Sequence, residues 1–524
     1  MKSINCKFRE GSVILVSRPI AFTFPHSYAY LAGYLINRGE RVKVLFKHRN
    51  YNRLVTDIMS QKPLLVGFGS LYPELKEISH IIDLMNKAGR QFPIVIGGQM
   101  VTPTPDFAVS ITGADFGVVG EGEIVLYQLV KALREGTDPL QVRGLVVRMG
   151  PDVVTTGPGE FIRDLADLPP IPYDLFPRED WLPIGRWYAE NQPQPHWRFN
   201  DRVVSIHGGR GCPFRCNFCY HHSKPRYRPV DLMIAEGVEA LERYKANLLY
   251  FSDDLVLSTP KRARELVETV RSVKKQLEYS VSARFDILAR MDDDLLGNLR
   301  DSGCRIMGLG IESGSDRILK LVGKHCTAET ILTGLERLKK AGILPSVSIM
   351  VGQYTETRDD FEASVDLMKK SVRTNPNIQY NFTITTPFPG SELYDIIFQK
   401  GYLRDHREFY EKYFATSKEW KQVVNLSEMG DEEVVQMHKR ITRSYWMEKI
   451  KSSGAGVFII GGAQVALGKL NAKALTKIRA RTGTSRISGR LSRRIDSGYV
   501  STLSHLDAYR LRLQGICAKE QKPL

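Results

Sequence analysis

The feature that most constrains this chain is a repeated alternation of short apolar runs with helix-length amphipathic segments, found in two separate blocks. In the first block the runs are SVILVS (12–17), RVKVLF (41–46), PLLVGFGS (63–70), PIVIGG (93–98) and DFGVVGEGE (115–123). Helical stretches fall near 27–38 and 74–89, and after 123 to about 134. Runs that are apolar throughout suit strands buried on both faces, which is the pattern of a parallel sheet covered by helices. The block predicts an open, doubly wound α/β sheet of flavodoxin-like type. The second block begins at VVSI (203–206) and continues through NLLYFSDD (247–254), YSVSARFD (279–286), IMGLGIES (306–313), LPSVSIMVG (344–352) and QYNFTITTPFPG (379–390). Six strands separated by helices predict a partial (β/α)6 barrel, with functional groups at the C-terminal strand ends.

Ligands of doubly wound sheets bind beyond the carboxyl ends of the strands. In the first block those ends carry Gly67, Gly69 and Ser70; Gly97, Gly98, Gln99 and Thr102; and Gly120, Glu121, Gly122 and Glu123. Glycines there admit a ligand close to the backbone, although ordinary tight turns have the same composition. In order and spacing this half resembles the cobalamin-binding domain found ahead of some radical enzymes. The resemblance implies that Ser70, Gly97, Gly98, Gln99, Thr102, Gly120, Glu121 and Glu123 cradle the corrin and its nucleotide tail. The Asp-x-His-x-x-Gly motif that supplies a histidine to cobalt in many cobalamin proteins is absent. The resemblance therefore implies cobalamin held without a histidine ligand. His26, in the loop after the first strand, is expected to pack or cap a helix.

The chain has seven cysteines, three of them within eight residues: Cys212, Cys216 and Cys219 in GGRGCPFRCNFCY. An odd number with uneven spacing argues against a disulfide framework. Three thiolates at C-x3-C-x2-C on one glycine-rich loop can grip three corners of a 4Fe–4S cubane and leave the fourth iron open. Four cysteines would close the cluster, and a structural zinc would want a fourth ligand, for which His207, His221 and His222 are the nearby candidates. The loop resembles the signature of the radical S-adenosylmethionine superfamily.

That resemblance implies that the open iron chelates S-adenosylmethionine and that cleavage yields a 5′-deoxyadenosyl radical. It places Phe218 near the adenine and Ser252 and Asp253 at the amino group. Strand alternation puts Ser282, Arg284 and Asp286 on one face, with Arg284 suited to the carboxylate. Glu312 and Ser313 would take the ribose hydroxyls, and an Arg284–Glu312 salt bridge is the structural alternative. Gly310-Ile311-Glu312-Ser313-Gly314-Ser315 and Lys324 extend the match, which runs over roughly 10–400. Cys304 and Cys326 read as packing residues, with a substrate-facing thiol as the alternative.

The Pro- and Trp-rich stretch up to residue 200, with Pro169, Pro170 and Pro172, reads as a packed linker. The domain plan is a cobalamin-type domain (1–140), linker (141–200), partial barrel (201–400), and helical cap with a basic tail (401–524). Residues 451–524 hold 14 Lys or Arg against 3 Asp or Glu, most of the net +16. An apolar segment, GAGVFIIGGAQVALG (454–468), lies beside them. Such a pair suits peripheral contact with an anionic membrane or a solvated hairpin. No nucleic-acid module accompanies the charge. No apolar run is long enough to span a bilayer, and the N-terminus lacks the h-region of a secretory signal. A cytoplasmic location, with membrane association through the tail, is expected.

The resemblance implies an enzyme using a 4Fe–4S cluster, S-adenosylmethionine and cobalamin to methylate an unactivated carbon through methylcobalamin and a substrate radical. A cyclase or rearrangement catalyst is the alternative within the family, and an iron–sulfur nucleic-acid-binding protein the alternative outside it. The expected partners are a small, lipophilic substrate and an electron donor such as flavodoxin or ferredoxin.

Overall fold

Apolar β-branched and leucine side chains cover the first strand on both sides, so β1 (Val13–Ser17) is buried along its whole length. It pairs in parallel with β2 (Val42–Phe46) on one side and β3 (Leu65–Gly69) on the other. β4 (Ile94–Gly97) and β5 (Phe116–Val118) extend the sheet in parallel. The order β2-β1-β3-β4-β5 is doubly wound and flavodoxin-like, as expected. Helices α1 (His26–Ile36), α2 (Tyr51–Ser60), α3 (Leu75–Lys87), α4 (Pro105–Thr112) and α5 (Glu123–Glu135) fill the crossovers. The sheet then continues past the expected five strands. β6 (Leu145–Met149) and β7 (Asp152–Thr155) add an antiparallel hairpin at its edge. The structure is a computed structural model describing residues 7–453, apart from 19–23, 48–49, 186–187, 189–195, 199, 221–222 and 417–422.

Further along lie β8 (Val203–Ile206), a ribbon of β9 (Gly209–Arg210) and β10 (Arg226–Tyr227), and then β11 (Leu248–Phe251), β12 (Tyr279–Ala283), β13 (Cys304–Glu312), β14 (Leu344–Val351) and β15 (Gln379–Ile384). Strands β8, β11, β12, β13, β14 and β15 form a six-stranded parallel sheet in sequence order. This is the predicted partial barrel. The helix Asp431–Ser453 packs on its last strand: Tyr445 meets the rings of Tyr380 and Phe382, and Lys449 Nζ donates to the Ile378 carbonyl at 2.8 Å.

The chain forms two compact units, and neither is continuous in sequence. The first holds residues 1–180, 207–232 and 385–425; the second holds 181–206, 233–384 and the described residues after 425. The proline-rich stretch contributes to both. In the first unit, Pro169, Pro170 and Pro172 lie against Gly33 of α1, so this part is a packed connection. The helix His406–Thr416 also belongs to the first unit, where Phe409 and Tyr413 pack on Tyr72. The apolar and basic segments at 454–524, on which the membrane expectation rests, lie outside the described residues, as do Cys6 and Cys517. Among the described residues no helix is long and apolar enough to cross a membrane.

Candidate functional site

In the first unit the strand ends meet as one surface of backbone. Ser70 N donates to the Gly97 carbonyl at 3.3 Å, and Met100 N donates to the Ser70 carbonyl at 3.1 Å. Gly98 has φ +82°, and a Cβ there would stand 3.0 Å from the Ser70 carbonyl oxygen, so a side chain is excluded by both conformation and space. Gln99 sits half-buried in the same short turn. Thr102 N donates to the Gly98 carbonyl at 3.0 Å, and Thr102 Oγ1 accepts from Gly120 N at 3.0 Å. Ser70, Gly97, Gly98, Gln99, Thr102 and Gly120 are thus brought together. Tyr28, which the sequence reading missed, holds this surface from below. Its buried hydroxyl donates to the Val16 carbonyl (2.7 Å) and accepts from Gly69 N (2.8 Å).

This cradle fits a large ligand approaching the backbone. A Cβ at Gly120 would meet nothing within 4 Å, and one at Gly69 only the Gly97 carbonyl oxygen at 3.9 Å. The buried hydroxyls of Tyr72 and Thr104, just beyond the first two turns, have no hydrogen-bond partner. His26 opens α1, buried against Phe24 and with its ring centroid 5.4 Å from that of His207. Burial, then the His207 charge, hold its pKa well below the ordinary histidine value. It therefore stays neutral, as a packing residue does.

The cysteine loop lies in the same unit. β9 and β10 pair across its base, with Arg210 opposite Arg226 and Gly209 opposite Tyr227. Cys216 is buried, Cys212 half-buried and Cys219 exposed, and Cys219 N donates to the Cys216 carbonyl at 3.0 Å. Phe218 is half-buried. The Asn217 carbonyl accepts from Leu393 N at 3.0 Å, and the Tyr220 ring lies on Gly390. Among the described residues no three His, Cys, Asp or Glu side chains converge on a single ion. A cubane asks something different of its ligands, because each thiolate binds a separate iron. The donor set, three cysteine sulfurs on one loop, fits such a cluster with an open iron.

Glu121 and Glu123 take part in a charge network. Arg210 donates to Glu121 at 2.6 Å and to both Glu123 oxygens at 2.5 and 3.3 Å; Arg226 donates to Glu121. Burial disfavours the Arg210 charge, but Glu123 and Glu121 more than offset this and raise its pKa.

In the second unit the strand ends are built from side chains. Ser252 Oγ donates to the Ile206 carbonyl (3.2 Å); Ser282 Oγ donates to the Asp253 carbonyl (3.3 Å) and accepts from Val256 N (3.0 Å). Asp253 is buried and its charge raises the Tyr250 pKa, behind the larger effect of burial. The expected strand from 279 to 286 ends at Ala283, where Arg284 caps the short helix Phe285–Leu288. Arg284 keeps extended backbone angles, but Asp286 lies in the helix and so does not share the strand face of Ser282, because the backbone leaves the two-residue period after Arg284. Arg284 pairs with Asp286 (2.9 Å), not with Glu312, and also donates to the Gly323 carbonyl at 3.3 Å.

Glu312 pairs with Lys324 at 3.0 Å and accepts from Ser348 Oγ at 3.2 Å. It has φ +69°, beside a register shift in the ladder at Gly310/Glu312. A non-glycine residue held there carries strain that the surroundings must hold in place. Gln353 Nε2 donates to the Glu312 carbonyl at 2.8 Å, and Glu356 Oε2 accepts from Gly352 N at 2.6 Å and Gln353 N at 3.1 Å. Burial pushes the Glu356 carboxyl up to about 7, against those two backbone bonds. Gln353 and Glu356 were missed in the sequence; the one signal for them was their place just after a strand end. A side chain at Gly310 would overlap the Glu312 carboxylate and the Lys324 ammonium, so glycine is required for their approach. Cys304 opens β13, away from its C-terminal end, and burial pushes its thiol up to about 12; burial pushes Cys326 up to about 11. Both stay protonated.

Comparison with known proteins agrees with these two halves. Residues 15–130 match the B12 binding domain and residues 206–368 the Radical SAM superfamily. A cobalamin-binding domain joined to a radical S-adenosylmethionine domain defines the class. This chain carries both, a B12 binding domain and a domain of the Radical SAM superfamily. An uncharacterized methyltransferase of Pyrococcus horikoshii is 27% identical over 380 residues, covering 71% of this chain and 78% of the relative. The cytidylyl-2-hydroxyethylphosphonate methyltransferase of Streptomyces wedmorensis is 22% identical, covering 81% and 86%. The anaerobic magnesium-protoporphyrin IX monomethyl ester cyclase of Cereibacter sphaeroides is 24% identical, covering 72% and 60%. The fold is shared with the radical S-adenosylmethionine methyltransferase TsrM of Kitasatospora setae, solved with cobalamin and a [4Fe-4S] cluster (TM-score 0.58, 19% identity, 74% of this chain and 75% of that one). It is also shared with the cobalamin-dependent enzyme OxsB, solved with aqua-cobalamin and S-adenosylmethionine (TM-score 0.63, 13% identity, 97% and 79%).

Proposed function

We propose that this chain is a cobalamin-dependent radical S-adenosylmethionine methyltransferase acting on an unactivated carbon of a small molecule. The observation that supports this most directly is the joining, within one unit, of a three-thiol loop and a glycine-built cradle of the B12-binding type. When bound, the cluster and S-adenosylmethionine supply a 5′-deoxyadenosyl radical, and cobalamin supplies the methyl group. Cys212, Cys216 and Cys219 hold the cluster. Ser70, Gly97, Gly98, Gln99, Thr102 and Gly120 shape the corrin cradle. On the second unit, Ser252 and Ser282 brace the loops at the strand ends, Arg284 offers a guanidinium to a carboxylate, and Glu312 offers a carboxylate to ribose hydroxyls. Methylation is favoured because methyltransferases span most of both chains in the comparison; the cyclase relative supports oxidative cyclisation as the second reading.

The test is anaerobic reconstitution, reduction and addition of methyl-labelled S-adenosylmethionine with candidate acceptors. Formation of 5′-deoxyadenosine together with a labelled product is expected. Deoxyadenosine without methyl transfer would favour the cyclase, and none at full cluster content would overturn both readings.

A further inference from the structure

Two arginines face each other across the ribbon that closes the cysteine loop, Arg210 from β9 and Arg226 from β10. Like charges directly opposite one another destabilise a strand pair. The ribbon is only two residues long on each side, so it has few ladder bonds to resist them. The opposing charge comes from elsewhere in the same unit. Glu121 bridges both arginines, and Glu123 takes Arg210 through both carboxylate oxygens. All four side chains are largely buried, none more than 14% exposed. Glu123 stands in the first turn of α5, where the helix dipole favours a carboxylate. The Arg226 guanidinium also reaches the Ile162 carbonyl and lies 4.8 Å from the centre of the Phe161 ring. Two positive and two negative groups thus form a closed set at the foot of the loop.

We infer that Glu121 and Glu123 are positioning residues for the cysteine loop, acting through Arg226 and Arg210, and are not contacts of the corrin. The inference rests on the proposed function, since it assumes that the loop carries the cluster. Neighbouring residues of the same turn leave Gly120 open to a ligand while the two carboxylates turn to the ribbon. One tetrapeptide then serves both cofactor sites, one with backbone and the other with charge.

The test compares wild type with Glu121→Gln/Glu123→Gln, both loaded anaerobically with iron, sulfide and cobalamin. Three quantities are read: bound cobalamin, iron and sulfide content, and the change in the reduced cluster's EPR signal on adding S-adenosylmethionine. Expected is retained cobalamin with an S-adenosylmethionine affinity, read from that EPR change, weakened at least about fivefold, the low end of ordinary site coupling. Exchanging the charges, Glu121→Arg with Arg226→Glu, is expected to restore part of the loss. Lost cobalamin with an unaltered EPR response would overturn the inference and return the glutamates to the corrin. If the double variant loses both cofactors, Arg226→Gln leaves the turn intact; a wild-type EPR response in that variant overturns the inference. A wild-type protein with no EPR response to S-adenosylmethionine would instead refute the proposed function itself.

Discussion

The two units present strand ends of opposite character. In the first, the ends of β3, β4 and β5 are glycines and backbone amides, tied together by Ser70 and Thr102. In the second, the ends of β11, β12 and β13 carry Asp253, Ser282 and Glu312, each braced or paired by neighbours. A broad ligand recognised by shape needs bare backbone. A small zwitterion recognised by charge needs fixed side chains whose placement others enforce. The contrast predicts that damage to the first unit acts through space and damage to the second through charge.

The largest effect is expected at the cysteine loop. Cys216→Ala should lower cluster content and 5′-deoxyadenosine formation more than about 100-fold, beyond what loss of an outer partner does to a metal site. Cobalamin retention, read by absorbance, should hold; its equal loss would break the separation of the two surfaces.

Glu356 tests the charge-built side. Its folded carboxyl keeps a proton up to about pH 7, whereas the unfolded one releases it near 4.5. Stability present in acid is therefore lost as pH rises through that window, by roughly 3 kcal/mol. Glu356→Gln should remove this loss, so that the variant gains on wild type between pH 4.5 and 7.5 in urea midpoints. Asp360 does not titrate in that window, because its carboxyl, which burial would raise, is held well down by Arg317 and Ser315. A flat difference would show that the Glu356 carboxylate is not held protonated.

Gly98→Val tests the space-built side. Strain at a positive φ costs about 1–3 kcal/mol, so cobalamin should bind about tenfold more weakly while cluster content stays normal. Equal damage to both would mean that the cradle is not a local feature. Smallest of the four, Tyr28→Phe orphans Gly69 N and the Val16 carbonyl, at about 1–3 kcal/mol of stability. Calorimetry should show a Tm lowered by a few degrees.

Patterns local to the chain were legible, and long-range pairings were not. The cysteine triad, the five parallel strands and the six barrel strands announced themselves through spacing and apolar runs. Leu145–Met149 was hidden by the prolines that follow it, so the hairpin was read as linker. Asp286 was misplaced because alternation was carried past Arg284, where nothing in the residue types marks the change to helix. The Glu121–Arg226 pair joins residues 105 apart in sequence, and Gln353 reaches Glu312 across 41. No periodicity encodes such contacts; they arise only once strand order is fixed. The glutamates of the Gly120–Glu123 turn were found as site residues, but their arginines were not.

The interleaved make-up of the two units carries a consequence for inheritance. The cysteine loop is encoded with the barrel, yet its arginines are matched by glutamates 87 and 105 residues upstream. A single crossover in the linker would join a loop to a foreign turn and strand two buried cations. Recombination can therefore exchange these halves only between partners that already share the four charges. The pair should travel through a lineage as one module, with Glu121, Glu123, Arg210 and Arg226 changing together or not at all.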